Sequence, residues 1–213
     1  GAPKAGTTSL FHYLDEHPEI GMSSQKEPDY FSDIDIQNRG MYYGKNRIDT
    51  IEKYHDLFDD IDSRLTGEGS VSYLFYNNVP AKIKEYNPNA KIIIMLRNPI
   101  DRAFSHYLMD YRLGVVSNTF EDIIFKQSKH KHASLFYQQY VKVSEYTVQI
   151  ERYLDFFSAD NILVIDYEDF KEDVLGVVNK TFLFLGVNQG FEPNVIKKYN
   201  TFTMPKNYLI RFV

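Results

Sequence analysis

The sequence contains no cysteine, so disulfides and thiolate chemistry are excluded, and the chain suits a reducing compartment. No apolar run approaches the roughly 18 residues that a membrane helix needs, which gives the expectation of a soluble protein without a transmembrane segment. Cations are in deficit: 24 Lys and Arg stand against 29 Asp and Glu, for a net charge of −5. A general nucleic-acid binder works by neutralising phosphates with clustered Lys and Arg, so nucleic acid is not an expected partner, although a local basic pocket is compatible with this balance. Internal repeats, low-complexity linkers and a visible secretory or transit segment are also absent. What is present is a 213-residue chain that is 43% hydrophobic and 15% aromatic, enough for one core and too little for two comfortable domains. A single domain spanning 1–213 is expected.

Apolar periods alternate between helix-like and strand-like, the α/β pattern. Helical spacing starts at Thr7 and runs to about His17, and Ile20–Met22 is a short candidate strand followed by a loop, QKEPDYFSD. Further helices are predicted over Thr50–Asp60, Pro80–Tyr86, Thr119–Lys126, Ser144–Phe157 and Asp173–Leu185. KIIIMLR and ILVID are continuous apolar strands of the kind found in buried parallel sheets. Asn98 and Pro99 after the first of these supply a cap and a first helical residue, so a helix is predicted from Pro99 to about Arg112. KQSKHKHASLFYQQY reads as an exposed basic loop, and His130 and His132 within it make a poor metal pair without further ligands. A phosphate loop normally follows a buried strand, and none precedes Gly1; a first strand missing upstream is the favoured expectation, a sheet lacking its usual centre the alternative.

The opening GAPKAGTTSL has two glycines at the spacing of a Walker loop, GxxxxGK[ST], but its only lysine is Lys4, inside the loop. A glycine-containing loop feeding a helix directs amide groups and the positive end of the helix dipole at one place, which suits an oxyanion. The hydroxyls of Thr7, Thr8 and Ser9 add donors. The alternative is a Gly/Pro turn that simply starts an amphipathic helix. In LRNPIDRAFSHY, Arg97 falls at the carboxyl end of a buried strand, where ligands of open α/β sheets collect. Ser105 follows about 9 Å along the next helix at about 1.5 Å per residue. Together they suit a second phosphate; Arg97 alone is equally compatible with an ordinary salt bridge.

These stretches resemble the sulfotransferases that use 3′-phosphoadenosine 5′-phosphosulfate (PAPS). PKAGTTSL is similar to their 5′-phosphosulfate loop, with the lysine inside it, and RNPIDRAFSHY to their 3′-phosphate motif. The resemblance continues through LDEHPEI, KEPDYF, GEGSVSYL and EYTVQIERYLDFF to NILVIDYEDF and FLFLGV, and points to the bacterial and heparan-sulfate-type branches. It implies a three-layer α/β/α fold with a central, mainly parallel sheet of P-loop-like type. It further implies sulfuryl transfer from PAPS, released as PAP, to a hydroxyl or amine of an acceptor: a glycan, a lipid-linked sugar or a small hydroxyl compound. Lys4, Ala5, Gly6, Thr7, Thr8, Ser9, Arg97, Ser105 and Tyr146 are the implied nucleotide-binding residues, with Lys4 stabilising the leaving phosphate and no metal required.

In the same resemblance Glu27, in KEPDYF, takes the place of the general base, which in-line attack by a hydroxyl or amine needs; a solvated loop glutamate is the plainer reading. Where some relatives carry a lysine after the glutamate of the third-strand motif, GEGSVSYL has Gly69, which weighs against a second catalytic lysine and strongly anionic acceptors. Tyr146 matches a tyrosine near the adenine, helix packing being its alternative. Tyr30, Tyr42, Tyr43 and the stretch 126–140 are expected to line the acceptor cleft. Two rivals stand beside this reading. One is a magnesium-dependent P-loop kinase or NTPase using Asp166 at the end of ILVID in a Walker B role, and the other a non-catalytic nucleotide-binding module of the same fold. A cytoplasmic location is expected, with a Golgi-lumen-type domain as the alternative.

Overall fold

The computed structural model describes residues 1–40 and 46–196; Tyr42 and Tyr43 lie outside the described residues. The chain begins with a loop over residues 1–6 and then forms α1 (Thr7–Asp15), β1 (Ile20–Met22), α2 (Asp33–Arg39), α3 (Ile51–His55), β2 (Leu65–Gly67), α4 (Val79–Tyr86), β3 (Ile92–Leu96) and α5 (Pro99–Arg112). It continues with α6 (Phe120–Ile124), α7 (Ala133–Tyr140), α8 (Tyr146–Leu154), β4 (Ile162–Asp166), α9 (Tyr167–Glu172) and α10 (Val174–Leu185). Both strand pairings are parallel, β1 with β2 from Ile20↔Leu65 to Met22↔Gly67 and β3 with β4 from Ile92↔Ile162 to Leu96↔Asp166. The α/β expectation therefore holds. The strands form two separate pairs, however, where one central sheet was expected.

Local chemistry explains the element ends that matter for the site. Asn98 caps α5, its side-chain oxygen accepting from the amides of Ile100 and Asp101, and Pro99 begins the helix where a missing N–H is harmless. Asp173 caps α10 through Gly176 N, and Gly186 at φ 74° ends it in the left-handed conformation that favours glycine. The main core packs Leu10, Phe11 and Leu14 of α1 against Ile94, Met95 and Ile165 of the β3–β4 pair, with Phe170, Val178 and Phe182 behind them. A second cluster (Phe31, Ile48, Tyr54, Leu57, Tyr73, Val79) joins α3 to α4, and a third (Ala103, Tyr107, Val116, Ile123, Phe136, Tyr140) joins α5 to α6 and α7.

Three segments differ from the sequence expectations. Helix α2 follows the QKEPDYFSD loop at once, opened by Asp33 and Asp35 in its first turn. The helix expected over Thr50–Asp60 is α3 followed by a single 3-10 turn, Asp56–Phe58. The second half of the basic stretch is not an exposed loop: it is α7, which buries Leu135, Phe136, Gln138 and Tyr140.

Candidate active site

The loop of residues 1–6 lies across the carboxyl end of β3. The Ala2 amide donates to Met95 O at 2.8 Å, and the Arg97 guanidinium donates to Lys4 O at 3.2 Å. The two predicted anion-binding motifs, 93 residues apart in sequence, therefore meet. Lys4 sits at φ 68° and Gly6 at φ 80°. The ring of Tyr167 and Phe170 approach the place of a Cβ on Gly6 at 3.1 and 3.3 Å, so a larger residue there would be both strained and crowded. Thr7, Thr8 and Ser9 form the first turn of α1, and the first main-chain bonds of that helix run from Ser9 N and Leu10 N to Gly6 O. Ala5 has no exposed surface and packs in the main core, so its part in the loop is packing.

Arg97 is fixed on three sides. Its guanidinium carbon stands 4.8 Å over the ring of Tyr167, one N–H holds Lys4 O, and its own carbonyl accepts from Tyr146 OH at 2.9 Å. Its Nε is buried and has no partner among the described residues. A buried charged donor without an acceptor is costly, and a phosphate oxygen would satisfy it. Tyr146 thus orients Arg97 through the backbone. Ser105 lies part-buried on α5.

The Lys4 side chain runs along α5 and ends 3.5 Å from Met109 Sδ, a weak acceptor for an ammonium group. Burial pushes its pKa down, the guanidinium of Arg112 adds to the effect and that of Arg97 adds less, while Asp110 and Glu27 oppose it. Lys4 is therefore a cation that an incoming anion would stabilise.

Glu27 is placed by a left-handed turn (φ 59°) and by its amide, which donates to Gly69 O at 3.0 Å. Lys26 Nζ pairs with its Oε1 at 2.6 Å, with 41% of the Glu27 side chain exposed. Lys4 and Glu27 are thus two of the four non-glycine residues with positive φ among those described, and such strain persists where the surroundings over-determine it, often at active sites. Behind Glu27 a polar network locks its loop to the segment after β2. Ser70 Oγ accepts from Asp29 N and donates to Glu68 Oε2, and Ser72 Oγ donates to Asp29 Oδ1. Asp29, Ser70 and Ser72 are committed to this scaffold. Burial pushes the Glu68 carboxyl up to about 7, against the hydrogen bonds from Tyr73 and Ser70.

Sequence reasoning missed the cluster that fixes α5. Arg102 is fully buried and donates to Ser144 Oγ (2.7 Å), Gln139 O (2.6 Å) and Tyr140 O (2.7 Å). Asp110, equally buried, accepts from Tyr140 OH at 2.7 Å. His106 beside them is held neutral, its pKa pushed down to about 3 by burial and then by the Arg102 charge. A buried guanidinium needs tertiary partners, and two of these, Gln139 and Tyr140, lie in α7, where the sequence suggests a loop.

Asp166 caps α9, its Oδ1 accepting from Glu168 N at 2.7 Å, which gives it a structural role in place of the Walker B one. No helix among the described residues is long and apolar enough to cross a membrane. A cavity of about 730 Å³ lies between β2 and β3, walled by Leu65–Gly67 on one side and Ile92–Ile94 on the other, with Leu14, Ile20 and Met22 beside them, and it reaches Gly1, Glu68 and Ser70.

The sulfotransferase domain family matches residues 1–208. A mouse bifunctional heparan sulfate N-deacetylase/N-sulfotransferase 4 is 30% identical over 194 residues, 88% of this chain and 22% of that protein. Human heparan sulfate glucosamine 3-O-sulfotransferase 3B1 is 26% identical over 192 residues, 89% of this chain and 45% of that protein. The chain thus spans between about a fifth and a half of the length of these relatives. Among solved structures, a sulfotransferase from Alicyclobacillus acidocaldarius superposes with a TM-score of 0.79 at 33% identity, covering 94% of this chain and 84% of that one. A sulfotransferase domain from the curacin biosynthetic pathway, at 17% identity and a TM-score of 0.64, shares the fold. With the family matching almost its whole length, this chain belongs to the sulfotransferase family.

Proposed function

We propose that this domain transfers a sulfuryl group from PAPS to a hydroxyl or amine of a glycan. The observation that carries the reading is the meeting of Lys4 and Arg97, with a buried guanidinium nitrogen left unpaired beside the loop. Arg97 and Ser105 would hold the 3′-phosphate. The amides of the loop and the hydroxyls of Thr7, Thr8 and Ser9 would hold the 5′ end, and the nucleotide supplies the sulfuryl group.

Each residue then has a defined task. Glu27 takes the proton of the attacking hydroxyl or amine as the new bond to sulfur forms. Lys4 neutralises the charge left on the 5′-phosphate oxygen as the old bond to sulfur breaks. Charge in such transfers spreads over equatorial oxygens, so positioning and electrostatics supply most of the rate. A glycan acceptor is supported by the heparan sulfate enzymes among the relatives.

The same reading gives the space between β2 and β3 to a further parallel strand, which would close the two pairs into one sheet. β2 and β3, each paired on one side only, both line that cavity, and this supports the reading.

The test is Glu27→Gln. Turnover with labelled PAPS should fall by about 10²- to 10⁴-fold, the usual contribution of a general base, with affinity for PAP unchanged. Full turnover in the variant would overturn the assignment of the base.

A further inference from the structure

Two sequence neighbours of opposite charge meet in the loop that carries Glu27. In an extended chain successive side chains point to opposite faces, so adjacent residues do not pair. Glu27 departs from that geometry at φ 59°, and Lys26 Nζ donates to its Oε1 at 2.6 Å. The backbone around the pair is pinned. Ser23 N and Glu27 N donate to Gly67 O and Gly69 O at 2.8 and 3.0 Å, carrying the β1–β2 pairing onward. Pro28 follows with its ring-fixed φ, and Asp29 N donates to Ser70 Oγ at 3.0 Å. The strained conformation at Glu27 is thus held by its surroundings, and the contact with Lys26 goes with it.

This pair differs from those on the surface. The Lys26 side chain is 17% exposed, whereas Lys53, Lys142 and Lys171 in their pairs are 53%, 48% and 61% exposed. An exposed pair is screened and contributes little; an ammonium group withdrawn from water keeps a firmer hold on its partner. Gly69, whose carbonyl holds the Glu27 amide, adds no side chain of its own, and a Cβ there would come within 3.2 Å of the Phe11 ring.

We propose that Lys26 is a positioning residue for Glu27: by holding Oε1 it fixes the direction from which the carboxylate meets the acceptor hydroxyl or amine. The inference rests on the proposed function, in which Glu27 takes the acceptor's proton. That proton passes to the Glu27 carboxylate, and Lys26 donates a hydrogen bond without giving up a proton of its own. A glutamate side chain has several rotamers open to it, and misplacing a reacting group by about 1 Å costs on the order of 10²-fold in rate. Lys26 acts through Glu27, so its effect disappears once Glu27 is replaced.

A double-mutant cycle tests this. Wild type, Lys26→Met, Glu27→Gln and the double variant are compared on a glucosamine–glucuronic acid oligosaccharide, which presents a free amine and hydroxyls. Transfer from labelled PAPS is measured with kcat and KM separated, and PAP affinity by calorimetry. Lys26→Met should lower kcat by about 10- to 100-fold, with acceptor KM and PAP affinity within about threefold of wild type. Lys26→Arg keeps the charge with a different shape and should recover part of the loss. In the Glu27→Gln background, Lys26→Met should cost less than about threefold. Should Lys26→Met fail to fold, Lys26→Gln takes its place with the same expectations. An unchanged kcat in Lys26→Met overturns the proposal, as does an equal loss in both backgrounds, which would show Lys26 acting on the reacting groups directly. A loss of PAP affinity in both Lys26→Met and Lys26→Arg overturns it too, by moving Lys26 to the donor site. Full turnover in Glu27→Gln would instead overturn the choice of base, and absence of transfer by wild type would overturn the glycan reading beneath it.

Discussion

Replacing Arg97 with alanine removes a guanidinium whose Nε is buried without a partner and whose other nitrogen holds Lys4 O at 3.2 Å. If that Nε and a neighbouring N–H grip a phosphate, each charge-assisted bond contributes about 1.5–3 kcal/mol. The lower end for two bonds is about 3 kcal/mol, or about 150-fold in affinity. The lost bond to the loop would cost about 1 kcal/mol more for any nucleotide. A ligand pair separates the two effects. PAP carries both phosphates, and adenosine 5′-phosphate lacks the one assigned to Arg97. Calorimetry on wild type and Arg97→Ala should show a loss of about 100-fold or more for PAP and of less than about tenfold for adenosine 5′-phosphate. Arg97→Lys keeps the charge without the fork and should fall between. Equal losses for the two nucleotides, or no loss for PAP, would refute the placement of the 3′-phosphate.

Two further predictions concern the scaffold. The folded Glu68 carboxyl, raised from 4.5 to about 7 by burial, keeps a proton that the unfolded chain releases, so stability is greatest below about pH 4.5 and falls as pH rises toward 7. The difference amounts to at most about 3 kcal/mol. Urea unfolding at pH 5 and pH 8 should show this slope in wild type and a flatter one in Glu68→Gln, and identical slopes would contradict the assignment. Arg102→Met leaves Ser144 Oγ and the carbonyls of Gln139 and Tyr140 without their donor. It should cost about 3–5 kcal/mol in the same assay, and a loss below about 1 kcal/mol would show that the buried cluster does not hold α5.

What could be read from the sequence follows from how local each signal is. Helix α5 is legible because Asn98 accepts from the amides of Ile100 and Asp101 and Pro99 fixes the first turn, all within four residues. β3 and β4 announced themselves as aliphatic runs. β2, only Leu65–Gly67, is too short for any period, and α7 hides behind KQSKHKH, its apolar face legible only once Phe136 and Tyr140 are seen against Tyr107 and Ala103. For the candidate site, the local pattern of two motifs is enough to single out Lys4 and Arg97, while Glu27 is singled out only by the resemblance of KEPDYF. Arg102 and Asp110 carry no local signal because their meaning depends on what packs beside α5. Tyr146 was expected against the adenine, and the structure shows its hydroxyl on the carbonyl of Arg97, a tertiary contact 49 residues away.

The most direct measurement is the structure of this chain with PAP bound. One phosphate should lie within hydrogen-bond distance of Arg97 Nε and Ser105 Oγ, and the other in the loop of residues 3–9 within reach of Lys4 Nζ. A nucleotide seated in the cavity between β2 and β3, or touching neither cation, would contradict the account.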